Sequence, residues 1–187
     1  MSVLTELPRI VILASGQGSL AAALMESAHF FEVAAVISDR REAPVLGRAE
    51  AAGINAISLP IQGDRLAWES ALADQVAAFA PEFVVSAGFM RILSPRFLER
   101  FRVINSHPSL LPDFPGAHAV RDALAAGASE SGCTIHWVDE GVDTGKVIAQ
   151  RIVEVIPGDT ETSLHERIKV VERELLVSVV EALVRGE

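Results

Sequence analysis

The sequence predicts a three-layer α/β fold, with helices on both sides of an open, mostly parallel sheet of about seven strands. Three observations support this prediction. Short apolar runs in the first hundred residues alternate with amphipathic or alanine-rich segments, which is the order of βαβ units. A glycine-rich turn follows the first apolar run, at an edge where such sheets bind ligands. Late in the chain, a short turn joins two strand-like segments, so we expect an antiparallel pair.

Residues 1–100 have the pattern of a Rossmann-like half. Its strands are short apolar runs, expected at residues 9–14, 31–37, 56–59 and 83–87. Its helices are expected at about residues 20–29, 44–52 and 64–79. Pro44 suits a first helical position and Gly53 suits the residue after a helix. The run at 83–87 is apolar enough to be buried on both faces, as is typical of a central parallel strand.

Residues 101–187 form a less regular half, in which the predicted elements are separated by a proline-rich loop at 107–116. Strands are expected at residues 102–105, 134–138 and 146–155. A short helix is expected at residues 95–101, where the two halves join, and further helices at 119–126 and 160–184. We find no repeat, low-complexity tract or linker, so residues 1–187 are expected to be one domain.

Composition narrows the class of function. Sixteen basic and 25 acidic residues give a net charge of −9, which argues against broad nucleic-acid binding. A single cysteine, Cys133, allows no internal disulfide and no thiolate metal cluster. No apolar run approaches the roughly 20 residues of a membrane helix, and residues 1–8 lack the basic start of a signal peptide. We therefore expect a cytoplasmic protein that acts on small molecules, without a metal or a membrane partner.

The glycine-rich turn at residues 16–21 matches the pattern G-x-G-x-x-G/A, and Asp39 ends the second predicted strand. One interpretation is a dinucleotide site, with backbone amides on the pyrophosphate and Asp39 on a ribose. A second is a cradle for a single phosphate, joined by the Ser19 hydroxyl. A third is a plain strand-to-helix turn. The turn alone does not separate these alternatives.

Asn105, His107 and Asp143 are the candidate catalytic residues. The first two are two apart at the end of a strand, so their side chains lie on the same side. An amide donor beside an imidazole suits a reaction that develops an oxyanion. Asp143 lies in a turn bracketed by glycines, where its carboxylate could approach the imidazole and favour the protonated ring. By spacing alone, ordinary loop and turn roles for these residues are the better interpretation.

The sequence around these residues resembles a known family. Residues 105–112, Asn-Ser-His-Pro-Ser-Leu-Leu-Pro, with Phe-Pro-Gly at 114–116, are similar to the signature of the folate-dependent formyltransferases. Phe-Met-Arg-Ile-Leu at 89–93 and Gly-Val-Asp-Thr-Gly at 141–145 occur in the order and spacing of its phosphoribosylglycinamide branch. The resemblance extends over about residues 9–184.

This resemblance implies formyl transfer from 10-formyltetrahydrofolate, as co-substrate, to the amine of 5′-phosphoribosylglycinamide in de novo purine biosynthesis. The implied partners are these two small molecules, and a homodimer is left open. A formyltetrahydrofolate hydrolase or another formyltransferase of the same fold is the alternative activity. A nicotinamide-dinucleotide-binding Rossmann protein is the alternative from a different class.

The resemblance also assigns residues. The catalytic set is Asn105, His107 and Asp143. The folate site is implied at Arg65, Met90, Arg91, Ile92, Leu93, Asn105, Val138, Asp139, Glu140, Gly141, Val142 and Asp143. The phosphoribosyl site is implied at Gly16, Gln17, Gly18, Ser19, Leu20, Lys169 and Glu172. Leu20 stands where the family often has Asn, so backbone amides or a neighbouring basic residue must replace that contact. A cis peptide is expected before Pro112.

Overall fold

The computed structural model describes residues 6–187 of the chain, so most of the N-terminal stretch considered for a signal peptide lies outside the described residues. Its strands are β1 (Arg9–Leu13), β2 (Glu32–Ser38), β3 (Asn55–Ser58), β4 (Phe83–Ser86), β5 (Val103–His107), β6 (Glu130–Trp137) and β7 (Val147–Glu154). Its helices are α1 (Ser19–Glu26), α2 (Pro44–Ala51), α3 (Arg65–Ala77), α4 (Pro95–Arg100), α5 (Ala119–Ala125) and α6 (Glu161–Arg185).

The strands form one seven-stranded sheet in the order β3-β2-β1-β4-β5-β6-β7. The first five in this order run parallel, and β6 and β7 pair antiparallel at one edge. The predicted fold class is therefore confirmed. The strand order reverses between β1 and β4, and in sheets of this kind the crevice at such a reversal is the usual ligand site.

Alternation along β1 divides the apolar core into two layers. Ile10 and Ile12 pack with α1, α2, α5 and α6 on one face of the sheet. Val11 and Leu13 pack with α3 and α4 on the other face. All four side chains are fully buried, as a central parallel strand requires. Cys133 of β6 is also buried, in the first of these layers.

Local signals explain where the helices begin and end. Pro44 begins α2, and Gly53, with φ +72°, follows its end. Asp64 caps α3 by accepting hydrogen bonds from the N–H groups of Leu66 and Ala67. Thr160 caps α6 through a reciprocal pair of bonds with Ser163. Among the helices of residues 6–187, none combines the length and apolar character needed to cross a membrane.

Two strands are longer than the sequence predicted. The strand expected to end at Asn105 continues to His107, because Ser106 and His107 pair with Ile135 and Thr134 of β6. The strand expected from Thr134 begins at Glu130, because residues 130–133 pair with the end of β7. The peptide bond before Pro112 is cis, as expected.

Candidate active site

A cleft of about 640 Å³ opens at the carboxyl ends of the central strands. It is lined by the glycine loop, the 86–93 segment, the end of β5, the turn after β6 and one face of α6. Every residue that the sequence assigned to the catalytic, phosphoribosyl and folate sites lies in its wall, except Arg65 and Glu140. Segments far apart in the chain therefore meet where the strand order reverses.

His107 is held on both sides of its ring. Its Nε2 donates to the carbonyl oxygen of Phe114 at 2.9 Å, and its Nδ1 lies 3.3 Å from Oδ2 of Asp143. The residue is only 4% exposed, so water does not compete strongly for these contacts. Both ring nitrogens face oxygen acceptors, so a ring protonated on both nitrogens can donate a hydrogen bond to each of them. The arrangement suits a fixed, positively charged donor.

Asp143 occupies the turn after β6 with φ +55°, a left-handed conformation that is costly for a residue other than glycine. Its Oδ2 accepts a hydrogen bond from the Gly116 N–H at 2.8 Å, and its Oδ1 lies 3.5 Å from His136 Nε2. Burial alone would raise the pKa of Asp143. The contacts with His136, Gly116 and His107 outweigh burial and lower this pKa, so the carboxylate stays ionised at neutral pH.

The close approach of Asp143 depends on two glycines. A Cβ at Gly141 would lie 1.9 Å from the Thr144 hydroxyl oxygen, and one at Gly145 would lie 1.7 Å from the Trp137 carbonyl oxygen. Asp139 braces the same turn, because its Oδ1 accepts hydrogen bonds from Gly141 N–H and Thr144 Oγ1. The 139–145 turn is thus fixed by packing and by hydrogen bonds together.

His136 of β6 lies between Asn105 and Asp143 in the site. The antiparallel register pairs it directly with Asn105, and their Nε2 and Nδ2 atoms are 3.2 Å apart. Its Nδ1 donates to the Trp137 carbonyl oxygen at 2.9 Å. A neutral His136 can therefore accept from Asn105 through Nε2, and a protonated one can donate to Asp143.

The glycine loop closes one end of the cleft. Gly18 has φ +75°, and a Cβ there would lie 2.3 Å from Cγ2 of Val45, so the close packing of this loop on α2 requires glycine. Helix α1 begins at Ser19, where its first N–H groups lack intrahelical partners. Such a helix start favours an anion.

One face of α6 lies across from the glycine loop and contributes His165, Lys169 and Glu172. Glu172 is 5% exposed and accepts a hydrogen bond from the Ser106 hydroxyl at 2.6 Å. Burial raises the pKa of Glu172 above its usual range. His165, near the start of α6, is half-buried in the cleft wall, where burial and the nearby Lys169 charge lower its pKa.

The 88–93 loop closes the other end. Met90 and Ile92 are 59% and 66% exposed and present apolar surface in the cleft, while Phe89 and Leu93 are buried. Arg65 lies outside the cleft wall because its guanidinium donates to the Ile92 carbonyl oxygen at 2.6 Å and to Glu69 at 2.9 Å. It supports the loop from behind. Glu140 lies exposed in the turn after β6, also outside the wall.

Asp39 has no free oxygen for a ribose. Its side chain is fully buried, its Oδ1 accepts from the Ser15 hydroxyl at 2.6 Å, and its Oδ2 accepts from Arg91 Nε at 2.6 Å. A dinucleotide ribose would have to displace both contacts, so the geometry disfavours the dinucleotide interpretation. Among residues 6–187, no cluster of three or more His, Cys, Asp or Glu side chains has the arrangement of a metal site.

Comparison with known proteins gives a consistent result. The formyl transferase family model matches residues 8–180. A phosphoribosylglycinamide formyltransferase of Mycobacterium tuberculosis is 50% identical over 182 residues, which are 94% of this chain and 84% of the relative. A trifunctional purine biosynthetic protein adenosine-3 of Drosophila pseudoobscura is 43% identical over 86% of this chain and 12% of its own length. The glycinamide ribonucleotide transformylase 1 structure from Symbiobacterium toebii superposes with a TM-score of 0.96 at 36% identity, covering 100% of this chain and 92% of that one.

Proposed function

This chain belongs to the formyl transferase family, and we propose that it transfers the formyl group of 10-formyltetrahydrofolate to the amine of 5′-phosphoribosylglycinamide in purine biosynthesis. The observation that carries the proposal is the placement of Asn105, His107 and Asp143 midway along one cleft. That cleft has a helix start at one end and an exposed apolar loop at the other. Such a cleft can bind two substrates at once, with the amine of one next to the formyl group of the other.

The phosphoribosyl substrate lies at the glycine-loop end. The N–H groups at the start of α1 bind its phosphate, with the Ser19 hydroxyl as a side-chain partner. Lys169 supplies positive charge, although its Nζ is shared with Glu166 at 2.7 Å. Glu172 lies deeper and accepts hydrogen bonds from the ribose hydroxyls, which suits a carboxylate already directed by Ser106. The Leu20 side chain contributes no polar group to this subsite.

The folate lies at the other end. Met90 and Ile92 provide the apolar surface for its flat ring, and the turn containing Val138 and Val142 covers the opposite side. Backbone groups of the same two segments bind the polar edges of the ring. This placement directs the formyl group toward Asn105.

The reaction proceeds without a covalent enzyme intermediate. The substrate amine attacks the formyl carbon, a carbon–nitrogen bond forms, and the formyl oxygen becomes an oxyanion. The Asn105 amide and the protonated His107 donate to that oxygen, His107 by turning its Nε2–H from the Phe114 carbonyl oxygen to the substrate, and each such donor contributes about 3 kcal/mol to the transition state. The bond from carbon to the folate N10 then breaks. Asp143, acting through water, accepts the proton of the attacking amine and returns it to N10.

The test is an absorbance assay of folate deformylation with and without phosphoribosylglycinamide. Turnover only with the amine supports the transferase, and turnover without it indicates the hydrolase instead. His107→Ala should lower kcat far more than it changes either KM, while His29→Ala, at an exposed position outside the cleft, should leave both unchanged. Near-normal kcat in His107→Ala would refute the mechanism.

Two further expectations accompany this proposal. A cytoplasmic location and a possible homodimer remain predictions, and sedimentation at several protein concentrations tests the second. Fluorescence titration with NADPH tests the dinucleotide alternative, for which we expect no binding because Asp39 is occupied.

A further inference from the structure

Asp39 is a fully buried carboxylate that the proposed reaction does not use. It directly follows the last residue of β2 and lies behind the cleft wall rather than in it. A buried carboxylate is strongly unfavourable unless it is paired and hydrogen-bonded. One of its two partners, Ser15, directly precedes the glycine loop, and the other, Arg91, belongs to the 88–93 loop, so Asp39 links the two loops.

Ser15 connects three segments of the chain. Its hydroxyl donates to Asp39 Oδ1 at 2.6 Å and accepts from the Met90 N–H at 2.9 Å. Its own N–H donates to the Gly88 carbonyl oxygen at 3.1 Å. Ser15 is 2% exposed and directly precedes Gly16, the first residue of the glycine loop. One buried hydroxyl therefore joins the glycine loop to the 88–93 loop.

Arg91 completes the network from the other side. Its Nε donates to Asp39 Oδ2 at 2.6 Å, and its side chain remains 37% exposed. The residue also lines the cleft, so the rest of the guanidinium is available there. Asp39 thus fixes the direction in which this cation points.

Outside this network, the middle of the 88–93 loop is held mainly by the hydrogen bond from Arg65 to the Ile92 carbonyl oxygen. Met90 and Ile92 are largely exposed, and Gly88 has φ +73°, so neither side-chain packing nor backbone restriction fixes this stretch. Phe89 and Leu93 anchor its ends in the core. Loss of the Asp39 charge should therefore loosen the loop without unfolding the domain.

We propose that Asp39 is a positioning residue that, through Ser15 and Arg91, holds the 88–93 loop in the orientation required by the formyl donor and joins it to the glycine loop. The role in donor binding rests on the proposed function, in which this loop contacts the folate. Asp39 touches neither substrate. Its removal should weaken donor binding more than phosphoribosyl binding, because Arg91 and Met90 belong to the donor's side of the cleft.

The kinetic test uses Asp39→Asn, which keeps the side-chain shape but removes the charge that pairs with Arg91. The KM for the formyl donor should rise about tenfold, equivalent to about 1.4 kcal/mol. The KM for the phosphoribosyl substrate and kcat should change less than about threefold. In an Arg91→Met background, the same substitution should add little, because the two changes remove one interaction. Asp74→Asn, at an exposed ion pair with Arg100, is the matched control and should change nothing.

A second measurement does not depend on the reaction. Amide hydrogen exchange of the ligand-free protein should show faster exchange at Met90 in Asp39→Asn and in Ser15→Ala, and unchanged exchange in Asp74→Asn. Ser15→Ala keeps the ion pair, so it tests the network if Asp39→Asn fails to fold. Lack of formyl transfer by the wild type would reject the proposed function, yet faster Met90 exchange would still support the network. Unchanged Met90 exchange in these variants, or equal rises in both KM values, would overturn the proposal.

Discussion

Gly145→Ala should show how strongly the reaction rate depends on the position of Asp143, because it should displace this carboxylate without changing it. The added Cβ would lie 1.7 Å from the Trp137 carbonyl oxygen and 2.8 Å from its carbon, where real contacts are essentially never below 3.0 Å. The 139–145 turn must therefore move by at least about 1.3 Å, the difference between 3.0 and 1.7 Å. The obstacle is strand backbone, which cannot rotate away as a flexible side chain would.

Asp143, two residues earlier in this turn, should move with it. A displacement of about 1 Å at a catalytic group costs roughly 100-fold in rate. We expect kcat to fall by about that factor in the formyl-transfer assay, with a loss of about 1–3 kcal/mol in unfolding free energy from overpacking. Gly47→Ala is the matched control: it is exposed in α2 with no atom near its Cβ position, so stability should rise by about 0.5–1 kcal/mol and kcat should not change.

A double-mutant comparison can refute this reasoning. If Gly145→Ala acts by displacing the carboxylate, it should lower kcat little further in an Asp143→Asn background. Full additivity would mean that Gly145 acts elsewhere. Unchanged kcat in the single variant would show that the turn slides past Trp137 without moving Asp143.

Three other predictions concern the rest of the cleft. Asn105→Ala should lower kcat about 100- to 1,000-fold with little change in KM, because it removes a donor to the oxyanion. Asn55→Ala is the control: it removes a hydrogen bond to the backbone outside the cleft and should leave kcat unchanged. Glu172→Gln should raise the KM for the phosphoribosyl substrate and also stabilise the fold. Because burial raises the pKa of Glu172 in the folded protein, the wild type loses stability as the pH rises through that pKa. The difference in stability between the variant and the wild type, measured by thermal or urea unfolding, should therefore grow from pH 5 to pH 8. His165→Ala should raise the KM for the phosphoribosyl substrate more at pH 5 than at pH 8, because burial and the Lys169 charge lower the pKa of His165 and leave its ring largely neutral near neutral pH. Equal effects at both pH values would contradict a role for its charge.

The sequence predicted the sheet because its central strands are buried on both faces and so leave short apolar runs, such as the Phe-Val-Val that begins β4. Strand ends were predicted less well where pairing, rather than composition, determines them. Ser131 and Gly132 show no strand pattern, yet they belong to β6 because β7 pairs with them. Likewise, His107 extends β5 because Thr134 lies opposite.

Only those site residues that lie within recognisable sequence motifs could be predicted. Asn105, His107 and Asp143 lie in recognisable segments, whereas His136 enters the site through the register between β5 and β6, which no local pattern determines. His165 had a readable signal, since its spacing of four to Lys169 places both on one helix face. Asp39 was a ribose ligand in only one of three interpretations of the glycine-rich turn, and its true partner Arg91 lies 52 residues away, where no local pattern could indicate it.

The buried Cys133 has a practical consequence for following motion in this protein. Burial raises the pKa of its thiol to about 12, which leaves a thiolate fraction of about 10⁻⁵ at pH 7. Cys133 of the native chain should therefore react very slowly with maleimide reagents. A cysteine introduced at an exposed position, such as Val142 in the turn over the cleft, would then carry a dye at a single place. Opening and closing of that turn could be followed by fluorescence without first removing a native thiol.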